Sequence, residues 1–165
     1  MRKIALIGLL GLGLLTLGSC KKEEETAPTR KSLLTAGTGT WRLTAATVSP
    51  GLNVGGTVIT DFFGQLESCE KDDLDVFTTA SSNNYRNEEG ATKCDPADPQ
   101  IAATGTWVMS SDEKKLSITS TEAGETVAET DEITITSMTS TQMVGTFTEN
   151  IGGINYTLTA TWTKQ

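Results

Sequence analysis

"INYTLTATWT", residues 154–163, alternates without a break: Ile154, Tyr156, Leu158, Ala160 and Trp162 share one face, and Thr157, Thr159, Thr161 and Thr163 share the other. A period of two is that of a β-strand with one face buried and one wet. Shorter stretches repeat it at Trp41/Leu43/Ala45, Leu116/Ile118, Ile133/Ile135 and Met143/Gly145/Phe147. Turn-forming clusters lie between them, "SSNN" at 81–84, "SSDEKK" at 110–115 and "NIGG" at 150–153. The predicted strands are 39–48, 54–60, 73–79, 84–88, 103–110, 115–120, 127–136, 142–149 and 154–163, with a short helical turn in "DFFGQLES" at 61–68. The chain holds 29 threonines, a residue suited to a pleated, half-exposed surface.

The connections are short and no long helical pattern intervenes, so each strand pairs with its sequence neighbour, antiparallel. Eight or nine such strands make an up-and-down barrel or a sandwich. A barrel leaves no open edges, which suits a threonine-rich chain. The expectation is therefore an all-β, antiparallel barrel of about eight strands over residues 36–165. "TGTW" occurs at 38–41 and again at 104–107, placing a glycine at a strand start and a tryptophan two places on, where it can plug a barrel end.

Upstream, Arg2 and Lys3 precede an uncharged, mostly apolar run of 14 residues, Ile4 to Leu17. A bilayer core needs roughly 20 residues to span, whereas this length fits the apolar region of a secretory signal. Leu17-Gly18-Ser19-Cys20 resembles the bacterial lipobox, which implies cleavage after residue 19 and a lipid on Cys20. Two or three acyl chains anchor firmly where one binds reversibly. "CKKEEE" from Cys20 resembles the export signal of Bacteroidota lipoproteins, which implies an outer-membrane protein facing the cell surface, with the periplasmic face as the alternative. Residues 20–35 carry no periodicity and are expected to form a flexible tether.

The precursor has 13 basic and 21 acidic residues; losing Arg2 and Lys3 with the leader leaves 11 against 21, a net charge of −10. Such a domain has no basic stripe for nucleic acid and is repelled by anionic membrane, so the lipid must do the anchoring. The absence of histidine excludes Ser-His-Asp and Cys-His catalysis and histidine zinc sites. Ser-x-x-Lys strings start at Ser68 and Ser111, but they lack companion motifs and lie in turn-like sequence. Neither a catalytic residue nor a cofactor is assigned, and a monomer is expected.

Cys69 and Cys94, 25 residues apart in a chain bound for an oxidising compartment, read as a disulfide. Closing that loop contributes roughly 3 to 3.5 kcal/mol on the chain-entropy model. Asp72, Asp73 and Asp75 follow Cys69 closely, yet they lack the mid-loop glycine and register of an EF-hand, so no metal site is assigned.

Gly39-Thr40-Trp41 resembles the Gly-x-Trp motif that opens lipocalins, and the wider pattern is similar to the lipocalin-like lipoprotein domains of Bacteroidota. Its parts are the early tryptophan, Cys69 and Asp72 ahead of a strand, the second cysteine, a second Gly-x-Trp, and "ITITSMTSTQMVGTF" at 133–147 as the late hairpin. No arginine follows Arg86, so the late-strand arginine that packs on the first tryptophan of lipocalins proper is missing. The resemblance implies architecture and brings no ligand. Large apolar side chains are scarce, which favours a cavity. The leading expectation is non-catalytic binding of a small apolar molecule or a glycan, with Trp41, Trp107 and Trp162 in or closing the interior. The alternative is a surface structural or protein-interaction module with a filled barrel.

Overall fold

In a computed structural model, residues 27–80 and 82–165 are described; the expected leader, Cys20 and residues 21–26 of the expected tether lie outside them. Helix α1 (Arg30–Thr35) leads into strands β1 (Thr40–Val54), β2 (Thr57–Asp61), β3 (Leu74–Thr78), β4 (Asn84–Glu88), β5 (Ile101–Met109), β6 (Lys115–Glu122), β7 (Glu129–Met138), β8 (Gln142–Ile151) and β9 (Ile154–Lys164). A single 3₁₀ turn, Phe63–Gln65, occupies the centre of the expected helical segment. All pairings are antiparallel between neighbours, and β1 also pairs with β9, so eight strands close into a barrel with β2 added at the edge of β1.

The first strand is longer than alternation alone suggests, because its two halves have different partners. Trp41 to Ser49 pairs with β9, while Leu52 to Val54 pairs with β2, which also meets Thr47 through Asp61. The ladder slips at Thr44, whose hydroxyl donates to the Thr161 carbonyl at 3.2 Å, and again around Pro50. Such irregularities are where a strand can bend around a barrel or accommodate a proline. On its other edge β1 meets β3 through only Thr40↔Val76 and Trp41↔Asp75. Beyond that short seam the 62–73 segment forms the wall, held by the Phe62 amide donating to the Ala46 carbonyl at 2.9 Å.

The two ends of the barrel differ. At one end Trp41, Phe77, Trp107, Leu116 and Met143 are fully buried. Both "TGTW" strings converge there: a side chain on Gly39 or Gly105 would meet the Phe77 or Thr119 carbonyl oxygen of the adjoining strand, and the tryptophan two places on fills the barrel end. The Trp41 and Trp107 indole N–H groups donate to the Leu34 carbonyl at 2.8 Å and the Thr78 carbonyl at 3.2 Å. Phe77 and Trp107 meet edge to face with centroids 6.3 Å apart.

Here the tether boundary is corrected. Residues 30–35, expected to be flexible, form α1, which seals this end with Leu34 completely buried. Thr29 caps the helix, and the Glu113 carboxylate accepts from the Arg30 amide at 2.7 Å. The Arg30 guanidinium donates to the carbonyls of Glu113 and Ile135 at 3.0 Å each. "SDEK" from Ser111 is thus the turn onto which α1 docks. The Lys164 ammonium lies 4.7 Å from the centre of the Trp41 ring, and burial lowers its pKa.

Candidate functional site

At the opposite end the barrel is hollow. The inward residues of β1, β8 and β9 are aliphatic or aromatic there: Leu43, Ala46, Phe147, Leu158, Ala160 and Trp162. With Phe62 and Leu66 from the 62–73 segment they line a cavity of about 280 Å³. Across from them, β3 and β4 contribute Asp73, Asp75 and Asn87. Asn87 also borders a wider lobe of about 640 Å³ between β4 and β7, lined by Tyr85, Ala103, Ser120, Asp131 and other acidic residues of the rim. Ligand cavities commonly span roughly 300 to 1,000 Å³, with a few polar groups on an apolar lining.

Asp75 is the polar centre of this hollow. Tyr85 Oη donates to its Oδ1 at 2.7 Å, Asn87 Nδ2 donates to the same oxygen at 3.2 Å, and Trp162 Nε1 donates to its Oδ2 at 3.1 Å. Burial pushes its pKa up, while these three donors oppose the rise. The Tyr85 hydroxyl is in turn held protonated by burial and by the adjoining Asp75 charge. Asp73 is raised to about 6, chiefly by burial and then by the charges of Glu89, Asp72 and Asp75; the Gly90 amide at 3.3 Å opposes that rise.

The three tryptophans expected inside are all buried, but they divide. Trp41 and Trp107 belong to the sealed end, and Trp162 alone lines the cavity. Cys69 and Cys94 form a disulfide with Cα atoms 5.2 Å apart. It staples the 62–73 segment to the β4–β5 loop at the open end. Glu67 lies beside it, yet sulfurs bonded to each other cannot act as thiolate ligands. Asp72, Asp73 and Asp75 do not converge on one point: Asp72 accepts from the Thr92 amide at 2.9 Å and from its hydroxyl, Asp73 accepts from Gly90, and Asp75 enters the barrel.

Sequence reasoning missed the Asp75 network. The available signal was the register: Asp73, Asp75 and Phe77 share a face, so a strand carrying buried Phe77 also turns two acids inward.

An antiparallel barrel plugged at one pole and hollow at the other is the architecture of a cup-shaped binding protein. The chain belongs to the lipocalin-like domain family, which matches residues 38–145, a family built in general around non-catalytic binding. No curated protein matches the chain.

Proposed function

We propose that this chain is a non-catalytic binding protein that takes a small apolar molecule or a glycan into the hollow half of its barrel. The observation that carries the reading is the cavity itself: Phe147, Leu158, Trp162 and two side chains of a mouth loop surround about 280 Å³ at the open end. Burying an apolar ligand there releases roughly 25 cal/mol per Å² of surface removed from water, before the cost of association. Titration with the neutral fluorophore N-phenyl-1-naphthylamine tests it, since Trp162 can transfer excitation to a probe bound beside it. Saturable binding, weakened at least about tenfold by filling the cavity with Ala160→Phe, is expected. A probe that stays dark, or binds Ala160→Phe equally well, sinks the reading.

The setting we propose is a lipoprotein of the Bacteroidota type, anchored in the outer membrane by acyl chains on Cys20 and facing outward. The basic start, apolar run, small residues and cysteine in order, followed by the charged "KKEEE", support it. Intact mass of the native protein reads the anchor directly; an unmodified thiol at Cys20 refutes it. Digestion by protease added to whole cells separates surface from periplasmic exposure.

A specific feature favours the interaction-module alternative. The β1–β2 and β8–β9 hairpins run past the last β1–β9 pair and expose Val54, Val58, Ile151 and Ile154. The hollow interior departs from the filled barrel that reading expects.

A further inference from the structure

We infer that the cavity selects an amphipathic cation, an apolar body carrying a protonated or quaternary amine, with the body against β1, β8 and β9 and the charge facing β3 and β4. The inference rests on the binding reading above and specifies the ligand class. The hollow makes the site, and the character of its two walls chooses the occupant.

One wall offers Phe147, Leu158 and Trp162, and the facing wall offers Asp73 and Asp75 with Glu70 at the rim. The adjoining lobe adds Glu89, Asp98, Glu122, Glu125, Glu129 and Asp131. Among the described residues no lysine or arginine lines either space. The two mouth loops hold two basic side chains, Lys71 and Lys93; neither lines the cavity or the lobe, and Lys93 stands behind Asp98 at the lobe's rim. The Lys71 ammonium lies over the Phe63 ring at 5.4 Å, and Lys93 donates to the Asp98 carbonyl.

Each charge type therefore meets a different fate inside. A fatty carboxylate would be brought against like charges with no basic partner, which is unfavourable in a partly dehydrated space. A neutral apolar molecule would strip water from Asp73 and return nothing. A cation satisfies both walls. Asp75 already accepts three hydrogen bonds and so stays in place, whereas Asp73 accepts only the Gly90 amide among the described residues. Asp73, which lines the cavity and has the fewer partners of the two inner carboxylates, is accordingly the group that meets the ligand's charge.

The test is displacement of bound N-phenyl-1-naphthylamine from the full chain by three molecules of matched chain length: dodecyltrimethylammonium, dodecanol and dodecanoate. Each is used below its micelle concentration and in physiological salt, so that attraction to the outer surface is screened. The ammonium compound is expected to displace the probe at about one-tenth the concentration of the alcohol, with the carboxylate weakest. Asp73→Asn should erase most of that preference, weakening displacement by the ammonium compound and, with no charge left to dry, strengthening displacement by dodecanol. Tetramethylammonium, which has the charge without the body, should not compete. Equal potency of the three dodecyl compounds, or a preference that survives Asp73→Asn, overturns the inference and leaves the binding reading standing. Failure of the probe to bind at all removes both.

Discussion

The acidic run after Cys69 shows how far neighbouring residues can diverge. Asp72 fastens a loop, Asp73 faces the cavity, and Asp75 holds two strands and Trp162 together. The sequence alone offered these carboxylates as a weak calcium pattern, because their separation depends on pairings that only the closed barrel sets. Trp162 was legible, since its alternating strand leaves no doubt about the inward face; its indole partner was not.

Asp73 gives a signed prediction. Its carboxyl sits at about 6 in the folded chain against a usual 3.8, so the fold binds its proton more tightly than the unfolded chain does. Stability from this group is complete below about pH 4 and is lost as pH rises through 6. Removing the charge with Asp73→Asn should raise stability at pH 7 by about 1 kcal/mol, discounted for the solvent that screens this half-open site. The gain should vanish near pH 3.5. Urea denaturation at both values checks it, and a variant no more stable at pH 7 contradicts the stated cause.

Eight of the nine strands could be placed to within three residues at either end, because period two is strong wherever one face is buried; the first runs six residues past its expected end. Helix α1 could not. Six residues are too few to display a helical period, and so short a helix is marginal without tertiary contacts. It exists because Leu34 fills the barrel end and Glu113, 83 residues from Arg30, receives its first amide. Leu34→Ala should therefore cost about 3 kcal/mol by guanidinium denaturation and accelerate amide exchange over 30–35. Probe binding at the far end should stay intact; a loss of under about 1 kcal/mol would mean that the plug contributes little.

The loops of the open end depend on a different constraint. Replacing Cys69 and Cys94 by alanine should lower stability by roughly 3 kcal/mol. Exchange should quicken in 62–73 and 89–100 while β8 and β9 remain protected. If exchange rises evenly over the whole barrel, the disulfide supports the core more than the loops.

Over the whole molecule the charge is unbalanced: residues 20–165 carry 11 basic and 21 acidic side chains. Among the described residues two ion pairs form, Arg86–Glu88 and Lys115–Glu132, each at 2.6 Å, with Glu88 half-buried and the other three side chains exposed. Pairs of that kind are worth little, so self-repulsion is largely unanswered. Raising sodium chloride from about 10 mM to about 0.5 M, which shortens the screening length from roughly 30 Å to a few ångströms, should lift Tm by several degrees. An unchanged midpoint would show that the acids at the rim are far enough apart not to strain the fold.

Helix α1 joins the barrel at its plugged pole, so residues 27–29, which lead into it, lie on the side away from the cavity. A bead or sensor chip fastened at Ala27 consequently sits at the pole opposite the entrance and leaves it turned toward bulk liquid. Capture through the amino-terminal end is thus the orientation in which solutes reach the cup unhindered, and gripping the rim hairpins would instead shade it.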